Sequence, residues 1–500
     1  MGIVMSLILQ PKISTDCNSI RVWVGATHRN SVPVLEWSIT PITYNAINAN
    51  PIPIETKPIT SARTTDLLDD PNESRVFTGI YEFTGCSPDS EYRIKVNDEL
   101  GTSFETIIKT IPSEIPENRW FNILLVSCYH YYTDEGLQIG QIQNKIPLDL
   151  RPDVTFLMGD QVYLDQPLTQ IFPSDAPSLA KRFEQDYIRN WQGIYNKRIP
   201  GSIDELIGYS KLLSLAPSIS LPDDHEFWNN YPNWSFFIGK TYNKLHTQNW
   251  KNAAKLMYEA FQNRNNNPAG SNDEFEIKPL SFFFVDTRTN RDIGIGKLLK
   301  TKEFDEIKQW IQRIIATNFI FPFFLTGQSI FSNAASHFGS TFADTELANY
   351  TDYSNIIEEL KSLNLINKRV TCLTGDVHWG RIVALTKPNG KSPDFIEIIS
   401  SPSSLVDSPI DDVKSFFKKI LTDDKWPKHS YPEDIKELNV SQFAKYGKEN
   451  FRRQEGNHVA ILSFKKSGSG IESKVNYIPV TNDNSQFNKF RKEIVLPKLL

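Results

Sequence analysis

Two textures of apolar patterning divide the 500-residue chain. From about residue 10 to 112, apolar and polar positions alternate in short runs broken by Pro, Asn and Asp. SIRVWVGA (19–26), VPVLEWSI (32–39), RVFTGIYEF (75–83) and EYRIKVN (91–97) have the period-two pattern of half-buried strands. Their spacing predicts a small β-sandwich over residues 1–112, followed by a Pro-containing linker at 111–119. Beyond the linker the apolar runs are unbroken: FNILLV (121–126), VTFLM (154–158), SFFFV (281–285), FPFFL (321–325), VTCL (370–373) and FIEII (395–399). Runs without alternation belong to strands covered on both faces, so residues 118–500 read as an α/β domain with helices over its sheets. In 303–316, Phe304, Ile307, Trp310, Ile311, Ile314 and Ile315 fall on one helical face, and 249–262 is a second candidate helix. The polar, lysine-rich stretch 407–455 reads as a helical insertion over one face.

Composition narrows the class. Hydrophobic residues at 39% and charged residues at 23% describe an ordinary globular chain. A formal net charge of -5 excludes a dedicated nucleic-acid binder, which needs a positive field to attract phosphate backbones. Four cysteines (Cys17, Cys86, Cys128 and Cys372) do not make a disulfide scaffold, and reduced thiols are expected. The N-terminus lacks a basic region before its short apolar run, and no window of 18 residues is apolar enough to span a bilayer. The expected location is the cytoplasm, or outside it by a route needing no cleavable signal peptide. Met-Gly-x-x-x-Ser at positions 1 to 6 matches the short N-myristoylation pattern.

The chemistry lies where the apolar runs stop. FNILLV ends in Ser127-Cys128-Tyr129-His130, and VTFLM in Gly159-Asp160-Gln161-Val162-Tyr163. PSISL runs into Pro222-Asp223-Asp224-His225-Glu226, and SFFFV into Asp286-Thr287-Arg288. FPFFL ends in Thr326-Gly327-Gln328, and VTCL in Thr374-Gly375-Asp376-Val377-His378. Taken singly, Gly-Asp after a strand is an ordinary turn, Asp-Asp-His a helix cap, and Cys128 a small core hydrophobe. Taken together, they gather carboxylates, imidazoles and a thiol beyond the carboxyl ends of buried strands. Such groups repel one another unless cations lie between them, so the pattern predicts a metal cluster.

The same segments, in the order Ser-Cys, Gly-Asp-x-x-Tyr, Asp-Asp-His-Glu with Asn-Asn, Asp-x-Arg and Gly-Asp-Val-His, resemble the PhoD-like alkaline phosphatase family over residues 120–400. The resemblance implies a two-sheet metallophosphoesterase sandwich flanked by helices. GCSPDSEYRIKV is similar to the Tyr-bearing strand of a fibronectin type III domain, so a small all-β Ig/fibronectin III-like domain is expected before it. Carried over by position, Asp160 bridges two metals. Cys128, Tyr163 and His378 complete a ferric (Fe3+) site, and Asp224 and Asp376 hold a divalent ion, Ca2+ or else Mn2+, Mg2+ or Zn2+. Asn229 or Asn230 meets a metal or the phosphate, His225 lies near the leaving group, and Arg288 grips phosphoryl oxygens. Gln328 stands where many superfamily members place a histidine, and the family's twin-arginine export signal is absent. The implied activity is hydrolysis of phosphate mono- or diesters in a small-molecule, lipid or nucleotide substrate. The alternative is an interaction module, with a partner-binding sandwich on a degenerate phosphoesterase scaffold. Because every candidate ligand lies beyond residue 127, the sandwich is expected to be dispensable for metal binding.

Overall fold

A computed structural model describes residues 6–42, 53–63, 76–167, 171–192, 206–235, 238–265, 267–331, 345–387, 390, 392–405, 439–442, 445–446, 449–450, 454 and 456–499. Residues 1–5 of the acylation pattern, and 407–438 of the expected insertion, lie outside the described residues. No described helix is long and apolar enough to cross a membrane.

The N-terminal region forms β1 (Ser6–Lys12), β2 (Ser19–Thr27), β3 (Leu35–Pro41), β4 (Pro53–Ser61), β5 (Val76–Thr84), β6 (Glu91–Asp98) and β7 (Ser103–Lys109), of which β2, β3, β5 and β6 match the alternating segments. The unbroken runs form β8 (Phe121–Val126), β9 (Val154–Met158), β12 (Leu280–Phe284), β13 (Phe321–Thr326), β14 (Val370–Thr374) and β16 (Phe395–Ile399), and β10 (Ser218–Leu221), β11 (Asp273–Ile277) and β15 (Arg381–Thr386) join them. After them come β17 (Asn439–Gln442), β18 (Lys445–Tyr446), β19 (Glu449–Asn450), β20 (His458–Ser467), β21 (Gly470–Pro479) and β22 (Lys492–Val495). The principal helices are α1 (Ala176–Gln192), α2 (Gly208–Leu213), α3 (Lys244–Phe261), α4 (Thr301–Ala316) and α5 (Tyr353–Leu365).

Two large sheets face each other. One runs β22-β21-β20-β8-β9-β10-β1-β2-β5-β4, and the other β11-β12-β13-β14-β16-β15-β17. Ile123, Leu125, Phe156, Phe282, Phe323 and Ile398 fill the space between them. The alternate residues Leu124 and Val126 point outward onto α1 and α3, against Phe183, Ala253 and Met257. On the far side, Phe283, Phe324 and Cys372 pack on Ile307, Trp310 and Ile311 of α4 and Leu360 of α5. Burial on both faces is what the unbroken apolar runs require. Cys372 is a core thiol in this layer. The 407–455 stretch departs from its helical expectation wherever it is described: β17 adds to the open edge of β15. An edge strand presents unpaired backbone groups, and that demand overrides the local polar composition.

The N-terminal strands make two sheets around their own core. β3, β6 and β7 form one, and Tyr92, Ile94 and Val96 point from it to Leu9, Val22 and Val24 of the other. The Tyr92 hydroxyl, near the start of β6, accepts a bond from the Ser87 amide at 2.7 Å. The second sheet does not end there: β1 pairs in parallel with β10, Lys12 opposite Ser218. Behind this seam Trp23 is wholly buried, 5.6 Å from the Phe261 ring, and its Nε1 donates to the Ala260 carbonyl at 2.8 Å. Lys12 Nζ donates to the Gln262 carbonyl at 3.0 Å, and Gln10 Nε2 to the Trp191 carbonyl at 2.8 Å. Burial, with Lys57 nearby, lowers the Lys12 ammonium to about 7. Arg63 pairs with Glu184 at 3.3 Å, out of solvent.

These contacts run against the expectation that the sandwich is dispensable. Deleting residues 1–112 strips one edge from the ten-stranded sheet and exposes the apolar backs of α1 and α3. The remainder is expected to aggregate or to lose its cooperative thermal transition, as seen by size-exclusion chromatography and calorimetry. A monodisperse, metal-binding 118–500 fragment would show that the seam contributes little.

Candidate metal centre

The strands carrying the sequence motifs end side by side, and two glycines let them. A Cβ on Gly375 would lie 2.3 Å from the Met158 carbonyl oxygen and 2.4 Å from Ser127 Oγ. A Cβ on Gly159, at φ +86, would lie 2.6 Å from the Asp223 Cβ. Immediately after these close approaches the chain turns through left-handed backbone at Cys128 (φ 54), Asp160 (φ 57), Asp376 (φ 62) and His378 (φ 61), with Asn230 (φ 67) nearby. Non-glycine residues in this region cost on the order of 1–3 kcal/mol each, and such strain collects at functional sites.

Donor atoms of Cys128, Asp376 and His378 lie within 4.8 Å of one another, as do those of Asp160, Asp223, Asp224 and Asp376. A third group joins Asp160, Asp224 and His225. Asp376 and Asp160 are each shared, so the groups are contiguous. Burial, then the charges of Asp160 and Asp376, pushes the Cys128 thiol far above its ordinary range. Burial, then Cys128 and Asp160, does the same to the Tyr163 phenol. Asp160 is raised by burial and by Asp224, Asp223 and Glu226, against the pull of His225. The Tyr163 hydroxyl is buried and makes no hydrogen bond among the described residues. Acidic donors driven toward their neutral forms, beside an unpartnered phenol, fit the addition of positive charge between them.

Several supporting residues were not assigned from sequence. Glu226 is wholly buried and accepts bonds from the amides of Asp160 (2.9 Å), Gln161 (2.6 Å) and Asp223 (2.8 Å), tying two ligand-bearing turns together. Asp165 accepts from, or shares a proton with, His225 Nδ1 at 2.8 Å, and also accepts from the Asn229 amide at 2.8 Å. Asp223, silent in the sequence reading, joins the carboxylate group. The motif glutamate was visible in Asp-Asp-His-Glu, but its direction was not.

Other candidates sit differently from expectation. Arg288 is wholly buried; its Nε donates to Asp223 Oδ1 at 2.5 Å and its Nη1 to the Tyr231 carbonyl at 3.0 Å. Its guanidinium is therefore turned onto a candidate ligand. Asn230 is buried, with Oδ1 accepting from the amide and hydroxyl of Thr345, and its own amide donating to Asp224 Oδ2 at 2.7 Å. Asn229 is partly exposed. Gln328 Oε1 accepts from Arg291 Nη2 at 2.6 Å, while its Nε2 approaches Asp376 Oδ2 at 3.4 Å. The residue standing where a histidine ligand was expected thus links Arg291 to a carboxylate of the cluster.

No protein-family model matches the sequence, and no curated relative matches it. Among solved structures, PhoD aligns with 96% of this chain and 87% of its own at TM-score 0.54 and 13% identity. Purple acid phosphatase from yellow lupin (Lupinus luteus) seeds aligns with 95% of this chain and 72% of its own at TM-score 0.53 and 13% identity. The chain therefore shares its fold with PhoD and with this purple acid phosphatase.

Burial raises Glu226 to about 7, against the backbone bonds that favour its charged form. An amide there cannot accept from all three backbone donors, and each buried N–H left unmet costs about 1–3 kcal/mol. Glu226→Gln is expected to lower both the melting temperature and the bound metal, measured by calorimetry and elemental analysis. Unchanged values would show that the turns hold without it.

Proposed function

We propose that the chain, on its PhoD-like metallophosphoesterase fold, is a metal-dependent hydrolase of phosphate mono- or diesters. The observation that supports this is the contiguous, largely buried donor cluster at the converging strand ends, with Asp160 and Asp376 each shared between groups. In this reading Cys128, Tyr163 and His378 would hold a ferric ion, Asp224 and Asp376 a divalent ion, calcium first among the candidates, and Asp160 would serve both. Metals so held supply a more acidic water and draw charge from the phosphoryl oxygens.

The chain's own residues do the rest. Against burial, the neighbouring carboxylates, Asp165 foremost, favour the protonated form of His225. Asp165 engages Nδ1, so Nε2 is the atom that hands a proton to the departing alkoxide. Asn229, partly exposed beside this pair, is the asparagine we assign to phosphate. Arg288 is a positioning residue that holds Asp223. Residues 1–112 we read as the fibronectin III/Ig-like domain, a reading that the Tyr92–Ser87 bond supports, and 118–500 as the catalytic domain. A degenerate scaffold would be expected to lose such donors, and the donor groups present here favour the enzyme reading.

Turnover of a chromogenic phosphate monoester and diester, across iron, calcium, manganese, magnesium and zinc, tests the activity. Asp160→Asn should lower it by about 10²-fold or more with the fold intact, as removal of a central electrostatic group commonly does. Retention of even a tenth of wild-type turnover would reject Asp160 as the bridge.

Metal identity has a separate signature. Thiolate and phenolate suit a trivalent transition metal better than calcium or magnesium, which favour carboxylate and carbonyl oxygens. Purified protein should contain iron and absorb in the visible, and Tyr163→Phe should shift or remove part of that band. Colourless, active protein unaffected by Tyr163→Phe would reject the ferric assignment.

A further inference from the structure

The loops that follow β10 and β12 carry an apolar collar beside the candidate centre. Trp234 and Tyr242 are both exposed and pack ring to ring at 4.7 Å. Leu245, at the start of α3, is 67% exposed, and Ile293 and Ile295 are 76% and 61% exposed. The collar is tied to the cluster through a short chain of bonds. Asp224 Oδ2 accepts from the Asn230 amide, and Asn230 Oδ1 accepts from the Thr345 hydroxyl at 2.9 Å. Thr345 Oγ1 in turn accepts from Asn233 Nδ2 at 3.0 Å, and Asn233 Oδ1 accepts from the Gly294 amide at 2.6 Å. Gly294 lies between the two exposed isoleucines.

Charge accompanies the apolar surface. Lys244, Lys297 and Lys300 are exposed around the collar, with Lys251 and Lys255 half-buried on α3 behind it. Lys300 lies close enough to Lys251 and Lys255 to oppose their charge, so these cations crowd one another. Asp292 is the exposed carboxylate among them, and its Oδ2 accepts from the Lys297 amide at 2.8 Å. This local surplus of positive charge stands out on a chain whose formal net charge is -5. Large apolar side chains surrounded by lysines match an anionic lipid–water interface, where the first insert among acyl chains and the second meet headgroups.

We infer that the collar docks the protein on an anionic lipid surface and that the centre hydrolyses a phospholipid-like ester presented there. The inference rests on the phosphoesterase reading above. A water oxygen forms the new bond to phosphorus, one ester P–O bond breaks, and the departing alkoxide takes up a proton. Water is the sole co-reactant.

The test pairs binding with turnover on the full chain. Wild type should co-sediment with phosphatidylglycerol vesicles and much less with phosphatidylcholine vesicles. It should hydrolyse a short-chain phospholipid faster above its micelle threshold than below. Ile293→Ser/Ile295→Ser should weaken vesicle binding by about tenfold or more, from the apolar burial lost, and abolish the rise in rate at the threshold. The same variant should leave turnover of a soluble chromogenic diester unchanged. Phe319, also exposed, precedes β13 and so lies at the strands' opposite end; Phe319→Ser should change neither readout. Intact soluble-ester turnover with no vesicle binding would overturn the collar's role and leave the phosphoesterase reading standing. Absent soluble-ester turnover with any metal, despite vesicle binding, would instead defeat that reading. Loss of vesicle binding in Phe319→Ser alone, or concentration-dependent dimers abolished by the isoleucine variant, would overturn the lipid assignment in favour of another surface or of self-association.

Discussion

Mutual repulsion among acidic groups held out of water governs this structure. Buried Asp160, Asp223 and Asp224 and partly exposed Asp376 converge with the buried Cys128 thiol and Tyr163 phenol, where water screens most of them poorly. Without added positive charge, burial drives Cys128, Tyr163 and Asp160 toward neutrality. A fold that imposes such a gathering must hold it rigidly. Relaxation of any one turn would let the donors separate and remove the demand for a cation.

The rigidity comes from layers. Each central strand is covered on one side by the opposing sheet and on the other by helices, so its carboxyl end has little freedom. Gly159 and Gly375 then allow backbones to meet at distances that a methyl group would forbid. The left-handed turns at Cys128, Asp160, Asp376 and His378 are sustained by this framework. Glu226 and Arg288 serve the same end from below, one gathering amide donors and the other restraining Asp223. Both are buried polar groups whose partners are buried too, which makes them intolerant of small changes.

The N-terminal strands belong to the same mechanical unit. β1 extends the large sheet past β10, and Trp23 and Lys12 close onto the C-terminal end of α3. The opposite end of α3 begins beside Tyr242 and Leu245, in the apolar collar. One helix thus runs between the N-terminal seam and the mouth of the centre.

Much of this was legible in the residues alone. Unbroken apolar runs identified doubly covered strands, because burial on both faces favours apolar residues at successive positions. The donors at the run ends identified a cluster, because strand ends in such sheets share one side. The alternating pattern located β2, β3, β5 and β6 as well. Which partner each polar side chain would choose could not be read. Arg288 and Asp223 stand 65 positions apart, as do His225 and the Asp160 carboxylate that accepts its amide. The sheet seam is no more visible: the residues of β1 say nothing of the strand at its edge. Edge pairing is a backbone interaction, indifferent to side-chain type, and only the tertiary packing that brings β10 alongside decides it.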